Sequence, residues 1–541
     1  MGLIILYLRN AHSIFTPVLY AEDGSWSAGL INRGFFDMLF NARDSNDYFV
    51  FGNILLLSFA HALNAAFFGQ NLTYLPHFVS LISMLFYATI AAAPVVLLRS
   101  VLRIEARLIL WLLTLLVPLG DSSYEVLGRL SNVGYVFLYL CFCLLVYRRY
   151  SLRTRSITQI IATDAMIFLC ANTNPLCYPL ICVALGADIW HHWQVSGRPK
   201  NFTWVNRCLQ SFGSKSALTL LVFLFFTGSW MLLRILTSVS PMGGDINSSN
   251  IIEVVISRTL LYPIIFPFYL NFNNLGSSLL LIFCIIIIIY LTKNGGREKG
   301  VLACAAFVLL AGALITIKSR PQLTFMIDSY RSTFPDRYFY GMGLFVCLII
   351  AFTLSAGFRV DKYKYRRSIA NSLAGVLFGL YAGSGVFLFE FTMPRFNYLP
   401  KATFQDEVKN SYDTGGLVGP NGIRYKIAMH PEPLVVYLPA EYVFATKLGR
   451  RGSTASTFYD ESQHQLPSQF SDLAHKYDLK LIKQIPAGRG REDGWFYVSD
   501  GSRSWIPDGN WLKQKNLSSS DVIEITHREF QAIPDSGLQV K

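Results

Sequence analysis

Three observations predict an all-α polytopic membrane protein with a small C-terminal α/β domain. Long apolar segments recur through residues 1–391, and the 541-residue chain is 52% hydrophobic and only 15% charged. A soluble domain carries roughly 25% charged residues. Short basic loops separate the apolar segments, and residues 392–541 change character to strand-like runs divided by turn residues. The expected domains are therefore 1–391, embedded in the membrane, and 392–541, outside it.

Charge supports that division. The chain has 47 Lys+Arg and 34 Asp+Glu, a net +13, yet residues 392–541 contribute 18 basic against 17 acidic groups. The excess lies in the membrane part, where it reports topology and contact with anionic lipid rather than nucleic acid. All nine cysteines lie at or before Cys347, mostly in apolar runs, with neither a CxxC pair nor a Cys/His cluster. Neither a disulfide framework nor a zinc site is expected.

Taken in order, Gly2–Leu8 is apolar but far shorter than the ~20 residues a spanning helix needs. Without a charged leader or a cleavage site it is not a signal peptide. It reads as the outer end of a first span that begins before this sequence, or as a short interfacial helix. Trp26–Phe40 and Phe49–Phe68 mix apolar and polar groups and are expected to lie along the surface. Spans are predicted over 76–98, 108–119, 133–147, 158–172, 176–190, 216–237, 275–293, 301–317, 338–357 and 369–391, about 11 with the first. Ile251–Phe272 holds Glu253, Arg258, Pro263 and Pro267 and is expected as a surface or re-entrant helix.

With that assignment every second loop is basic: Arg99–Arg107, Arg148–Arg155, Arg198–Lys215, Lys293–Lys299 and Arg359–Arg367. The positive-inside rule makes these cytoplasmic. Residues 120–132, 172–175, 238–274, 318–337 and the tail then face outside. The tail's runs Leu434–Leu438, Leu479–Ile485 and Trp495–Val498 predict strands, with a turn at Val418–Gly422.

Four outward polar groups could carry chemistry. Glu22 and Asp23 are adjacent carboxylates at the mouth of a membrane protein, where desolvating charge is costly. A solvated turn with Asp23 as helix N-cap is the plainer alternative. Residues Asp121–Asn132 bring Glu125, Arg129 and Asn132 near membrane level, and Asn174 lies in the polar break Asn172–Pro175. The fourth group comprises Lys318, Arg320 and Arg331 with Phe334-Pro335-Asp336-Arg337-Tyr338-Phe339. A carboxylate can act as general base on a sugar hydroxyl, and arginines can hold and stabilise a departing phosphate. Interfacial snorkelling explains most juxtamembrane Arg and Lys, but these lie on the outer side, where few are expected. Glu125, Asn132, Asn174 and Tyr338 suit a sugar or acceptor. His12, His61 and His77 are scattered and read as satisfied or solvated imidazoles.

The order of short first helix, acidic pair, surface helices, many spans, late outer arginine motif and outer tail resembles the GT-C class of integral-membrane glycosyltransferases. Thr16-Pro17 through Glu22-Asp23-Gly24, with Pro335-Asp336-Arg337-Tyr338-Phe339, is similar to bacterial serotype-converting O-antigen glucosyltransferases. The resemblance covers about residues 10–391 and leaves the tail unmatched. It implies a catalytic base at Glu22 or Asp23 and an undecaprenyl-phosphate sugar donor, with inversion at the anomeric carbon. It also implies a lipid-linked or surface glycan acceptor, and an inner-membrane location with the site and tail periplasmic. Some members hold a divalent metal on the acidic residues and others use none, and the motif leaves that open. A polyprenyl-glycan flippase and a polysaccharide polymerase are the rival readings. The spans look almost uncharged, which favours the enzyme over a transporter.

Overall fold

The computed structural model describes residues 1–16, 18–43, 48–117, 119, 123–151, 156–185, 224–230, 251–255, 259, 297–320, 323 and 336–357. In the tail it describes 402–414, 417–419, 422–430, 434–449, 476–485, 494–499 and, with gaps, 502–539, besides single positions in 279–289 and 368–379. The expected spans 275–293 and 369–391, most of 216–237, most of Ile251–Phe272 and much of the basic loops lie outside the described residues.

Contacts divide the chain into two units. The first holds Met1–Phe15, Phe35–Leu57 and Val79–Leu399; the second gathers Thr16–Gly34 and Ser58–Phe78 with Pro400–Lys541. No composition shift in the sequence marks those two early segments as companions of the tail.

The N-terminal helices are α1 (Gly2–Arg9), α2 (His12–Phe15), α3 (Glu22–Arg33), α4 (Phe35–Asn41), α5 (Phe51–Phe68) and α6 (Leu75–Leu97). The expected surface helix Trp26–Phe40 is two helices, because α3 ends at Gly34. Pro76 sits in the first turn of α6, where its missing N–H costs nothing. Next come α7 (Ile104–Leu115), α8 (Ser123–Val126), α9 (Gly134–Ser151), α10 (Ile157–Ala171), α11 (Ile251–Val254), α12 (Arg297–Ser319) and α13 (Asp336–Gly357). Arg148 and Arg149 close α9, opposite its C-terminal partial charge, and the Ser156 hydroxyl caps α10.

Among the described residues, four helices are long and apolar enough to cross a membrane: Phe51–Phe68, Leu75–Leu97, Lys299–Ser319 and Arg337–Ala356. Thr158–Ala171 is apolar but shorter. The 18-residue α5 thus has spanning length, although its Asn53, His61 and Asn64 suggest a surface position. Unit one centres on α13, which packs against α7, α9 and α12 and touches α8. Its interior includes Phe345, Phe352 and Leu348, fully buried. Close packing of α13 requires Gly341, where a Cβ would sit 2.6 Å from the Tyr135 carbonyl oxygen. By contrast α12 shows Phe307, Leu310 and Leu314 at its surface, the face a lipid would cover.

The uncharged look of the spans needs one correction. Asp164, inside α10, is buried and pairs with Arg148 of α9, Nε to Oδ1 at 3.0 Å. A carboxylate in an apolar helix needs such a partner.

Unit two holds α14 (Phe404–Thr414), β1 (Leu417–Gly419), β2 (Gly422–Ala428), β3 (Val435–Pro439) and α15 (Ala440–Leu448). β1, β2 and β3 form an antiparallel sheet in that order, with Tyr425 opposite Leu438 and Ile427 opposite Val436. Tyr425 is buried beneath α14 and α15, stacked on Tyr412 and edge-on to Phe444. A second sheet has the order β7-β4-β5-β6-β8, with β4 (Leu481–Ile485), β5 (Phe496–Ser499), β6 (Ser502–Trp505), β7 (Val522–Thr526) and β8 (Asp535–Gln539). β4–β7 and β6–β8 are parallel and the other pairs antiparallel. Its core is Tyr477, Ile482, Phe496, Val498, Ile525, Phe530 and Ile533. The mixed α/β tail expected from sequence is therefore built on two sheets.

Candidate functional site

The expected site residues fall in both units. In unit one, Arg337 is the second residue of α13 and Glu125 lies in the short α8. The Arg337 Nη1 donates to Glu125 Oε2 at 2.5 Å, and Nη2 donates to the Tyr338 hydroxyl at 2.7 Å. Arg337 and Glu125 are 20% and 13% exposed at the side chain, so the pair is largely screened from water yet reachable. Tyr338 is flanked by two guanidiniums, with Arg320 4.3 Å and Arg337 4.8 Å from its ring centre. Stacking of this kind favours arginine over lysine. Tyr135 meets the Tyr338 ring edge-on at 6.2 Å.

The backbone beneath is fixed by amides. Asn132 donates to the Glu125 carbonyl at 2.8 Å, and Asn174 to the Gly134 carbonyl at 3.0 Å. Asn53, not singled out by sequence, donates to the Leu130 and Ser131 carbonyls. Asn132, Asn174 and Asn53 thus hold the 125–134 turn through their side-chain amides. Arg320 makes no ion pair among the described residues. Lys318 is exposed in the last turn of α12. Arg331, Asp121 and the Asp336 side chain lie outside the described residues.

In unit two, Glu22 and Asp23 form the first turn of α3, where carboxylates complement the helix dipole. The N-cap is Ala21 rather than Asp23, and the two acids differ in setting: Glu22 is exposed, whereas Asp23 is completely buried. The Asp23 N–H donates to the Tyr20 carbonyl at 2.9 Å. Sequence reasoning missed His430, which bridges Tyr20 in a parallel pairing. Its carbonyl accepts from the Ala21 N–H at 2.7 Å, and its ring lies 5.5 Å from that of Tyr20. His430 lies two residues beyond β2, directly after the buried Met429.

Chemically, the first cluster offers an arginine oriented by a carboxylate, beside an aromatic face and a second guanidinium, which suits an anion on a sugar-bearing ligand. The second offers one exposed and one buried carboxylate. Among the described residues no three His, Cys, Asp or Glu side chains gather in a way that could hold a metal ion.

No protein-family model and no curated protein matches the chain. Among solved structures it is similar to the oligosaccharyltransferase of Archaeoglobus fulgidus in complex with Zn and sulfate, at 13% identity and a TM-score of 0.41. That alignment covers 76% of this chain and 55% of the other. The apo form of the same protein gives 12% identity and a TM-score of 0.36, covering 73% and 56% of the two chains. The complex of AglB from that organism with an inhibitory peptide and a dolichol-phosphate gives 12% and 0.36, covering 76% and 57%. The chain thus spans little more than half the length of these proteins. Similarity at that level assigns no role to any residue.

Proposed function

We propose that this chain is a membrane glycosyltransferase that moves a hexose, with glucose favoured, from a polyprenyl-phosphate donor to a cell-surface glycan of O-antigen type. The observation that carries the reading is the Arg320–Tyr338–Arg337–Glu125 cluster at the head of a helix of spanning length. A lipid phosphate presents its charge at that depth, and Glu125 fixes the direction of the Arg337 fork. As the glycosidic bond breaks, negative charge grows on the phosphate oxygen. A fixed guanidinium then stabilises the transition state more than the ground state. Arg320, stacked on Tyr338, supplies a second positive group, and Arg331 and Lys318 belong to the same outer basic segment.

In this reading Glu22 or Asp23 accepts the proton of the attacking acceptor hydroxyl, so the sugar is transferred with inversion. Glu22 has the access a base needs, while buried Asp23 has the fixed position. Residues 1–391 form the catalytic membrane domain of an inner-membrane protein, with the site and the tail on the periplasmic side. The test is transfer of labelled glucose from undecaprenyl phosphate glucose to lipid-linked O-antigen in membranes with and without this protein. It is read together with the sugar composition of the host's surface polysaccharide. Unchanged glycan and no transfer would overturn the reading.

The Arg148–Asp164 pair inside apolar helices favours one rival, a flippase for polyprenyl-linked glycans, since ionisable groups within spans often line transport paths. Reconstituted vesicles decide between them: a flippase moves the lipid-linked sugar across the bilayer without forming a new glycosidic bond.

A further inference from the structure

β2 alternates buried and exposed side chains, as a strand with one covered face must. Tyr425 and Ile427 are buried, Lys426 and Ala428 exposed, and Met429 continues the buried row. The Met429 N–H pairs with the Leu434 carbonyl at 2.8 Å, extending the β2–β3 ladder by one residue. The next residue, His430, leaves that ladder and pairs with Tyr20 and Ala21.

That pairing lands on a strained residue. Ala21 has φ 43° and ψ −121°, a conformation disfavoured for any residue with a Cβ. Such a conformation persists only where its surroundings over-determine it. Here they do. The Ala21 N–H is bound by His430, and its carbonyl accepts from the N–H groups of Gly24 and Ser25 at 3.2 and 3.3 Å. One turn on, a Cβ at Gly24 would sit 1.9 Å from the Met429 sulfur, so a larger residue there must push the end of the Met429 side chain aside. Further along α3, Asn32 donates to the Tyr437 carbonyl at 3.0 Å. Between these contacts lie the exposed Glu22 and the buried Asp23.

We infer that the β2–β3 hairpin of the tail is a working part of the acidic site, with Met429 and His430 as positioning residues that hold the turn presenting Glu22 and Asp23. The inference rests on the proposed glycosyl transfer. It gives the tail, which the family resemblance leaves unmatched, a task in the reaction: fixing which carboxylate is exposed and which is enclosed. Ordinary docking of one segment on another would leave turnover insensitive to small changes at this contact.

The experiment uses the full chain in membranes, with undecaprenyl phosphate glucose as donor. Gly24→Val forces Met429 away from the turn and should lower kcat by about tenfold to a hundredfold, with the donor KM little changed. Combining it with Met429→Ala frees the space and should restore most of the loss. Ala21→Gly serves where Gly24→Val folds poorly. It relieves the strain, so thermal stability should hold or rise while kcat falls. Wild-type kcat in folded Gly24→Val or in Ala21→Gly overturns the inference, as does a double variant no better than Gly24→Val. Glu22→Gln and Asp23→Asn run alongside. If both transfer normally, the acidic pair has no part in the reaction and both readings fall. If either is inactive while the Gly24 and Ala21 variants are normal, only the positioning inference falls.

Discussion

Arg337 and Glu125 are 212 positions apart in sequence, yet their side chains meet at 2.5 Å, with the same guanidinium bound to the Tyr338 hydroxyl. Glu125 is a residue assigned from sequence to sugar or acceptor binding. That pairing makes a distinctive pattern of loss expected. Arg337→Ala should abolish nearly all transfer, and Arg337→Lys should keep part of it, since lysine retains charge without the planar fork. Glu125→Gln should lower transfer less, because the guanidinium stays charged but is no longer aimed. Transfer per folded molecule, with folding checked by size-exclusion chromatography in detergent, measures each. Wild-type turnover in folded Arg337→Ala rules out the phosphate role.

The acidic pair is tested by near-isosteric changes. Glu22→Gln or Asp23→Asn should lower transfer by on the order of 10²–10⁴, the usual cost of losing a proton acceptor. Since Asp23 is buried and Glu22 exposed, Asp23→Leu should also reduce folded yield, whereas Glu22→Leu should not. Parallel assays of yield and rate separate the two effects.

Asp164 yields a sharper prediction about the membrane interior. Asp164→Asn leaves Arg148 without its counter-charge and should lower thermal stability by about 1–3 kcal/mol, since breaking a mostly buried pair costs several kcal/mol at most. The exchange Arg148→Asp with Asp164→Arg should recover part of it. Glucose transfer per folded molecule should survive all three changes. Loss of transfer at normal stability would give the pair a direct part in function.

The tail has its own pH dependence. The Glu529 carboxylate accepts from the Thr526 N–H and hydroxyl and from the Tyr477 hydroxyl, and it pairs with Lys476 at 3.2 Å. These bonds, the Thr526 N–H foremost, pull its pKa down to about 2. A depressed carboxylate stabilises the fold above its unfolded value of roughly 4.3, and that stability is lost as pH falls toward 2. Tryptophan fluorescence should report loosening of the second sheet across that window, and Glu529→Gln should flatten the transition. An identical acid profile for the variant would contradict this.

Topology is tested by cysteine labelling in a cysteine-free background, needed because Cys182 and Cys304 are exposed. Cysteines at the exposed Ser25 and Lys515 should react with an impermeant thiol reagent from outside, and one at Ser151 should not. Labelling of Ser25 and Ser151 from one side would refute the assigned orientation.

Apolar runs made much of this fold legible. The segments read over 76–98, 301–317 and 338–357 correspond to α6, α12 and α13, and the tail runs at 434–438 and 479–485 correspond to β3 and β4. The reason is that burial against lipid or core writes its period directly into residue type. Site geometry was less legible because its decisive contacts are long-range. Nothing local to Glu125 announces Arg337, and nothing in Tyr20–Glu22 announces His430. Asp164 was overlooked for the same reason, since one carboxylate in an apolar helix is interpretable only with its partner in view.

Arg9 bears on how such a chain is assembled. Its guanidinium is buried and donates to the Leu115 and Val117 carbonyls at the end of α7. Those acceptors emerge from the ribosome more than a hundred residues after the arginine. During synthesis α1 therefore carries a cation for which these two acceptors do not yet exist, and its long cationic side chain favours the wet interface until α7 arrives. These two bonds, which tie α1 to the end of α7, can form only once α7 is complete.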